Sequence, residues 1–285
     1  MKTILVTGAN GQLGSEIRQL ESTYSNYDFL FLDRDDLDIT DEKAVKYFFK
    51  ENEISFCINA AAYTAVDNAE KDSENAFLLN ATAVKYLAEN ALKNNCKLIQ
   101  ISTDFVFDGT ANLPLKETDQ PNPISVYGAS KLKGEEFALE NEALVIRTSW
   151  LYSIFGNNFV KTMLRLGSER EELNIIADQI GTPTYAKDLA ETILFLIDKI
   201  ETEKLFGLYH FSNDGTTSWF DFAAEIFKIS GTNCKANPIP TEQYPTPAQR
   251  PKYSLMDKSK IVNDFGIELK DWKLSLAECI EKLKQ

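Results

Sequence analysis

The chain contains 285 residues, of which 44% are hydrophobic and 26% charged, the composition of an ordinary globular protein with a large core. Its net charge of −13 argues against a nucleic-acid-binding protein, and no apolar stretch approaches the roughly 20 residues of a membrane span. Four widely spaced cysteines and an N-terminus whose short apolar run is broken by glycines do not fit a disulfide frame, a zinc site or a signal peptide, so we expect a cytoplasmic protein.

The first half of the chain alternates predicted strands with predicted helices. Short apolar runs predict strands over 2–8, 27–33, 54–62, 97–104 and 143–152. Helical patterns lie between them, over 12–20, 40–53 (capped by Thr40 or Asp41), 66–94 and a segment that holds Tyr127. This alternation is typical of an α/β protein with a doubly wound parallel sheet of the Rossmann type.

The second half is less regular and predicts a smaller lobe. Helices are expected around 159–166, 187–199 and 218–230, the last capped by Ser218, and strands near 173–177 and 207–212. Five of the nine prolines lie between 238 and 251, which indicates an irregular, ligand-facing loop. We therefore predict a dinucleotide-binding Rossmann domain over 1–152, to which 186–206 returns, and a C-terminal α/β substrate-binding lobe over 153–185 and 207–285.

A glycine-rich stretch, TGANGQLG, follows the first predicted strand and leads into a helix. Gly8 permits a tight turn, Gly11 lets a phosphate approach the backbone, and Gly14 lets the helix pack closely on the strand. Glycines also simply end strands, but here the strand–turn–helix context of a dinucleotide site is present. The stretch therefore predicts binding of a nicotinamide dinucleotide.

The end of the second strand bears on the choice between the two nicotinamide cofactors. Asp33 stands where a carboxylate accepts hydrogen bonds from the adenosine ribose and disfavours a 2′-phosphate. Arg34, the next residue, has the charge to reverse that preference by pairing with the phosphate. The sequence leaves NADPH and NADH both open.

The stretch VYGASK places Tyr127 four residues before Lys131, and residues with this spacing share one face of a helix. At about 4 Å the attraction between an ammonium and a phenolate is about 1 kcal/mol in water and about 4 kcal/mol at an effective dielectric constant of about 20. The larger value is about three pKa units. In a partly dry cleft we expect Lys131 to lower the pKa of Tyr127, which then protonates a carbonyl oxygen while a nicotinamide delivers hydride to its carbon.

The fourth predicted strand ends in three polar residues, Ser102, Thr103 and Asp104. Ligands of open α/β sheets bind at the carboxyl ends of the strands. We expect these side chains to emerge beside Tyr127, with the Thr103 hydroxyl holding the same carbonyl oxygen.

These motifs together carry a resemblance to a known family. The glycine loop, INAAAYT, ISTDFVFDG and VYGASK, in this order, resemble the extended short-chain dehydrogenase/reductase family. Later blocks, DQIGTPTYAKDLA, GLYHFSNDGTTSWFDFA and RPKYSLMDKSK, are similar to its sugar-nucleotide reductases. The resemblance implies NADPH- or NADH-dependent reduction of the C4 ketone of dTDP-4-dehydro-6-deoxy-L-mannose, a step of nucleotide-sugar metabolism for cell-surface polysaccharides.

The resemblance also implies roles for individual residues. Tyr127 is the proton donor, Lys131 binds the nicotinamide ribose, and Thr103 orients the ketone. Substrate contacts are expected from Thr103, Asp104, Tyr127, Trp150 and Arg250. Cofactor contacts are expected from Gly8, Asn10, Gly11, Gln12, Leu13, Gly14, Asp33, Arg34, Asp38, Ile39, Ala60, Ala61, Ala62, Tyr63 and Lys131.

Three other functions compete with this reductase. Dehydratases that resemble it follow the threonine with Asp–Glu, whereas Phe105 follows Asp104 here. A reductase or epimerase acting on another nucleotide-linked 4-keto-6-deoxy sugar stays open, because one hydroxyl changes few pocket contacts. So does a non-catalytic binding subunit, since the regulatory subunit of methionine adenosyltransferase resembles these reductases.

The remaining expectations concern a metal and two buried groups. Some reductases of this type form a dimer around a magnesium ion held by glutamates, and Glu16 and Glu191 match two such ligands. Lys282 falls where a further acid is wanted, so we expect no metal and either a monomer or a homodimer. His210, the single histidine, is expected to be buried and not catalytic, and Arg147 to pair with a buried carboxylate.

Overall fold

The computed structural model describes residues 1–200 and 206–285. In the first half, five strands alternate with helices, as predicted. The strands are β1 (Lys2–Thr7), β2 (Tyr27–Leu32), β3 (Phe56–Asn59), β4 (Lys97–Thr103) and β5 (Leu144–Thr148). The helices are α1 (Gln12–Leu20), α2 (Glu42–Glu51), α3 (Val66–Ala69), α4 (Ser73–Phe77), α5 (Ala83–Lys93) and α6 (Val126–Glu140).

The described residues of the second half form shorter strands and further helices. The strands are β6 (Leu151–Tyr152), β7 (Glu172–Ile176), β8 (Ile180–Gly181), β9 (Thr184–Tyr185), β10 (Gly207–His210), β11 (Thr217–Ser218) and β12 (Lys235–Ile239). The helices are α7 (Phe159–Glu169), α8 (Ala186–Ile200), α9 (Trp219–Ser230), α10 (Ser259–Phe265) and α11 (Trp272–Leu283). Among the described residues, no helix combines the length and apolar character needed to span a bilayer.

The central sheet has six parallel strands in the order β10-β5-β4-β3-β1-β2. One face is covered by α1, α8 and α10, which contribute Ile17, Ile193 and Ile261 to an apolar core. The other is covered by α2, α5 and α6, which contribute Phe49 and Leu87 among others. The predicted doubly wound Rossmann arrangement is confirmed, and its strand order reverses between β1 and β3, where such sheets bind ligands.

Capping residues begin several helices as the sequence predicts. Asp41 accepts hydrogen bonds from the backbone N–H groups of Lys43 and Ala44 at the start of α2. The Ser218 hydroxyl accepts the backbone N–H of Asp221 at the start of α9. These side chains satisfy backbone donors that the first helical turn leaves unpaired.

One predicted boundary is wrong. The sequence-based division places 207–285 in the smaller lobe, whereas β10 pairs with β5 and is the edge strand of the Rossmann sheet. Ile261 and Phe265 of α10 also pack into the core beneath that sheet. The segment 186–206 is expected to return to the Rossmann domain; α8 does so, and residues 201–205 of that segment lie outside the described residues.

A separate apolar cluster joins α7, α9 and α11 with the short strands of the later segments. It includes Tyr152, Met163, Phe222, Phe227 and Leu276. The segment that follows β12 contacts two other parts of the chain. Its Met256 bridges Leu115, in the loop that follows β4, and its Tyr253 bridges Ile180 of β8.

Candidate active site

A cavity of about 1040 Å³ opens at the carboxyl ends of β1, β3 and β4. Its walls come from the glycine loop, the end of β2, the segment after β3, the end of β4 and the first turns of α6. The predicted site residues that line it are Gly8, Gly11, Gln12, Leu13, Asp33, Arg34, Asp38, Ile39, Ala60, Ala61, Ala62, Tyr63, Thr103, Asp104, Tyr127, Lys131 and Trp150. Asn10, Gly14 and Arg250 are not among the lining residues.

The glycine loop is shaped by two close backbone approaches. Gly8 has φ +63°, and a Cβ there would lie 2.7 Å from the Ala61 nitrogen. A Cβ on Gly14 would lie 2.5 Å from the Gly8 carbonyl oxygen, so Gly14 serves the packing of α1 against β1. Larger side chains at either position would displace backbone that forms the cavity wall. Gly11, Gln12 and Leu13 at the amino end of α1 line the cavity, and the first turn of a helix offers backbone N–H groups to an anion.

The end of β2 forms the adenosine side of the cavity. One Asp33 oxygen accepts the Arg34 backbone N–H at 2.9 Å. The Arg34 side chain is 83% exposed and its Nε lies 3.6 Å from Asp38 Oδ2. Hydrogen bonds from Thr40 lower the pKa of Asp38. Asp33 and the exposed Arg34 guanidinium therefore both lie at the adenosine side of the cavity.

Asn80 fixes the cavity wall next to the helix that carries Tyr127. It accepts the Tyr63 backbone N–H at 2.8 Å and donates to the Tyr63 carbonyl at 3.1 Å. Its amide also donates to Ser130 Oγ in α6 at 3.0 Å. Asn80 thus holds the segment after β3 at a set distance from the helix that carries Tyr127 and Lys131.

Two oxygen groups hold the amino end of α6, where Tyr127 occupies the first turn. Ser125 Oγ accepts the Gly128 N–H at 3.1 Å, and Glu70 accepts the Val126 N–H at 2.8 Å. A Cβ on Gly128 would lie 2.2 Å from the Phe105 carbonyl oxygen, so only glycine lets α6 approach the end of β4 this closely. Tyr127 and Thr103 both line the cavity.

The structure reverses the expected pKa of the tyrosine. Burial raises the pKa of Tyr127 to about 12, the Thr103 side chain opposes that increase, and Asp104 adds to it. Lys131 donates instead to the Ile101 carbonyl at 2.6 Å, and burial lowers its own pKa to about 8, against the attraction of Glu135. The expectation that Lys131 lowers the pKa of Tyr127 is therefore wrong here, because desolvation raises that pKa and Lys131 is not among the groups that shift it. Tyr127 is a neutral phenol at neutral pH, the form that can donate a proton.

Asp104 is buried beside this pair, with 2% of its surface exposed. Its Oδ1 accepts the Thr103 hydroxyl at 3.1 Å. Within the described ranges 1–200 and 206–285, its Oδ2 is buried without a hydrogen-bond partner. Burial raises the pKa of Asp104 to about 6, and the Ser254 and Thr103 side chains partly offset that increase.

Trp150 and Arg250 occupy different places. Trp150 lines the cavity with a left-handed backbone, φ +48°, and stacks on Trp219 with ring centroids 3.7 Å apart. Arg250 lies outside the cavity lining and forms a two-point ion pair with Asp67, at 3.0 and 2.8 Å. No sequence pattern points to Asp67, because its partner lies 183 residues away in the chain.

Arg147 and His210 are both buried, as expected. Arg147 forms a two-point ion pair with Glu135, which confirms the predicted buried carboxylate. His210 is fully buried, and burial and Arg147 lower its pKa to about 3. It does not line the cavity.

The two glutamates considered as metal ligands have partners within the protein. Glu16 is buried and accepts the Ser153 hydroxyl at 2.6 Å, and Glu191 lies 3.5 Å from the Lys187 ammonium. Lys282, in turn, lies 3.6 Å from Glu278. In the part of the chain that the structure describes, no group of three or more His, Cys, Asp or Glu side chains has the arrangement of a metal site.

The similarity of this chain to known proteins covers its whole length and not only the motifs described above. A family model described as the RmlD substrate binding domain matches residues 1–285. A dTDP-4-dehydrorhamnose reductase from Aggregatibacter actinomycetemcomitans is 42% identical, and the alignment covers 97% of each chain. The solved dTDP-4-dehydrorhamnose reductase from Clostridium acetobutylicum ATCC 824 has a TM-score of 0.95 at 44% identity, over 99% of this chain and 100% of that one. The enzyme of the same name from Bacillus anthracis strain Ames, solved in complex with NADP, has a TM-score of 0.93 at 40% identity, with the same coverage.

Proposed function

This chain belongs to the family described as the RmlD substrate binding domain, and on that premise we propose that it catalyses the dTDP-4-dehydrorhamnose reductase reaction. It reduces the C4 ketone of dTDP-4-dehydro-6-deoxy-L-mannose to give dTDP-L-rhamnose. The observation that carries the proposal is the meeting of Thr103, Tyr127 and Lys131 in the cavity that the glycine loop also lines. Full-length similarity to reductases of that name supports the same reaction.

The residues present fit a nicotinamide dinucleotide. The crowding around Gly8 leaves no room for a side chain at the turn, and the amino end of α1 supplies backbone donors for a pyrophosphate. The bound cofactor supplies hydride to C4 of the sugar. Lys131 lines the cavity, where its charge suits the ribose hydroxyls.

The protein's own contribution to the chemistry is a proton and an orientation. Tyr127 donates its phenolic proton to the C4 oxygen as the carbon accepts hydride. The Thr103 hydroxyl orients that oxygen. The neutral state of the phenol, which burial maintains, suits reduction, because the group must hold its proton until the ketone arrives.

The substrate lobe contributes Trp150 and the segment that carries Arg250 and Ser254. We assign the sugar to the cavity floor between Tyr127 and Trp150, and the nucleotide to the side bordered by the Arg250 segment. The Rossmann sheet, including β10, carries the cofactor. The elimination chemistry of a dehydratase lacks support, because Phe105 packs its ring edge-on against Tyr127 at 5.5 Å where that reaction needs an acid.

Either nicotinamide cofactor fits the adenosine side. Asp33 favours an unsubstituted ribose. The exposed Arg34 guanidinium makes a 3.6 Å contact with Asp38, a weak surface pair that a 2′-phosphate can replace. We therefore expect turnover with both NADPH and NADH.

A direct assay tests the proposal. Purified protein is mixed with dTDP-4-dehydro-6-deoxy-L-mannose and NADPH or NADH, reduced cofactor is followed by absorbance, and the sugar product is identified by NMR. We expect stoichiometric cofactor oxidation and a rhamnose product. Isomerisation without net oxidation would indicate an epimerase, a different sugar product would indicate a neighbouring reductase, and no turnover with either cofactor would contradict an enzyme.

A further inference from the structure

Residues 153–158, between β6 and α7, form a loop that lies against the glycine loop; we call it the 153–158 loop. Its Gly156 and Asn157 line the cavity together with Gly11 and Gln12. Gly156 has φ +61°, and a Cβ there would lie 3.1 Å from the Gln12 Cγ atom. The 153–158 loop therefore contacts the first residue of α1, where the glycine pattern predicts the pyrophosphate of a dinucleotide.

Two side-chain hydrogen bonds tie this loop to α1. The Asn158 amide donates to Gln12 Oε1 at 3.0 Å and to the Ser153 carbonyl at 2.7 Å. At the other end of the loop, the Ser153 hydroxyl donates to Glu16 Oε1 at 2.6 Å, and both of these residues are buried. The first and the last residue of the 153–158 loop are thus both fixed to α1.

The loop carries two backbone donors that the protein itself does not use. Among the described residues, no atom accepts a hydrogen bond from the backbone N–H of Gly156 or of Asn157. Both residues are exposed and line the cavity, so these donors are open to a ligand. Successive backbone N–H groups beside a left-handed residue commonly bind anions.

The position of the loop in the chain indicates which part of the cofactor it borders. The loop begins three residues after Trp150, which lines the cavity with Tyr127 and Lys131 where we place the ketone and the nicotinamide. The adenosine side is instead formed by the end of β2. The loop therefore reaches the pyrophosphate from its nicotinamide end.

We propose that the 153–158 loop is a second phosphate-binding element of the cofactor site and that Asn158 is the residue that positions it. The inference rests on the proposed function and adds a contribution of the smaller lobe to cofactor binding. The N–H groups of Gly156 and Asn157 donate to the phosphate that carries the nicotinamide ribose. Asn158 does not line the cavity, so it acts through the loop and through Gln12.

Asn158→Ser tests this positioning role. The serine hydroxyl can still cap α7 by accepting the Lys161 N–H, as Asn158 Oδ1 does at 3.1 Å, but it lacks the amide that donates to Gln12. Calorimetric titration compares NADPH with adenosine 2′,5′-bisphosphate, which lacks the nicotinamide-side phosphate; NADH and AMP form the corresponding pair. The dissociation constant of the dinucleotide should rise by about 3-fold to 10-fold, as for a lost hydrogen bond, and that of the fragment should stay within about twofold.

The matched control is Asn237→Ser. The Asn237 amide donates to Glu172 at 2.9 Å in an exposed contact, and Asn237 does not line the cavity. This variant should bind dinucleotide and fragment as the wild type does. Equal weakening of both ligands in Asn158→Ser, or no weakening of either, would overturn the role of the loop. A wild-type protein that binds neither NADPH nor NADH would instead overturn the proposed function.

Gly156→Ala keeps the proposal testable if Asn158→Ser disturbs the folding of α7. Alanine is strained at φ +61°, and its methyl group would lie 3.1 Å from Gln12 Cγ, so the loop should move away from the glycine loop. Gly156 is exposed, and the substitution removes no core contact. The dissociation constant of NADPH should rise by about threefold or more, again with little change for the fragment. Wild-type affinity for NADPH in this variant would contradict the proposal.

Discussion

Glu135 and Asp104 are both buried to 2% exposure, and their surroundings are opposite in kind. Glu135 accepts three hydrogen bonds from Arg147, at 2.6 to 3.1 Å, and one from Ser102. Asp104 accepts one hydrogen bond from the uncharged Thr103 hydroxyl, and its other oxygen has no partner in the part of the chain that is described. A buried acid that is fully paired belongs to the framework of the fold, whereas an incompletely paired one in the cavity that Tyr127 lines is typical of a functional site.

The largest expected effect comes from breaking the buried ion pair between Arg147 and Glu135. Arg147→Met leaves Glu135 buried without its counter-charge, and we expect a loss of about 3–5 kcal/mol in the free energy of unfolding, measured by urea denaturation at pH 7. Lys133→Met is the control, because it breaks an exposed ion pair with Glu136 on the same helix. It should cost at most about 1 kcal/mol. Equal losses in the two variants would contradict the view that the buried ion pair stabilises the fold more than the exposed one.

Removing the charge of the incompletely paired Asp104 should instead raise stability at high pH. Burial raises the pKa of Asp104 from 3.8 to about 6, so ionising it in the folded protein is unfavourable. Wild-type stability from this group is intact below about pH 4 and is lost as pH rises through about 6. Relative to wild type, Asp104→Asn should therefore gain about 2.5 kcal/mol between pH 4 and pH 8, measured by urea unfolding at both values. A difference that does not change with pH would show that Asp104 is not held in its acid form.

The smallest expected change in stability concerns a third carboxylate, Glu70. It accepts the Val126 N–H at the amino end of α6, where a negative charge interacts favourably with the helix dipole. Glu70→Gln keeps an acceptor and loses the charge, so we expect about 0.5 kcal/mol lower stability, measured by urea unfolding at low salt. The difference should shrink in high salt. A salt-independent loss would point to altered packing instead.

The parts of this molecule that can be predicted from the sequence depend on local pattern. The glycine loop follows a strand and begins a helix, and Tyr127 and Lys131 share a helical face, so both are identifiable from spacing alone. Asp41 and Ser218 cap helices through bonds that span only three residues. These features are set by neighbours in the chain.

The parts that sequence patterns miss depend on contacts between distant segments. β10 pairs with β5 about sixty residues earlier, and nothing in GLYH distinguishes an edge strand of the sheet from one in the lobe. Asp67 forms an ion pair with Arg250 across 183 residues, a contact that no local pattern predicts. The predicted pKa of Tyr127 is wrong because the spacing to Lys131 is visible in the sequence and the desolvation is not.

The proton-donor role of Tyr127 is tested most directly by Tyr127→Phe, which keeps the ring and removes the proton. NADPH affinity, measured by fluorescence titration, should stay within about twofold of wild type, because the glycine loop is untouched. The single-turnover rate of cofactor oxidation with the keto sugar should fall by about 100-fold or more. A Tyr127→Phe enzyme that oxidises NADPH at the wild-type rate would show that the proton comes from elsewhere.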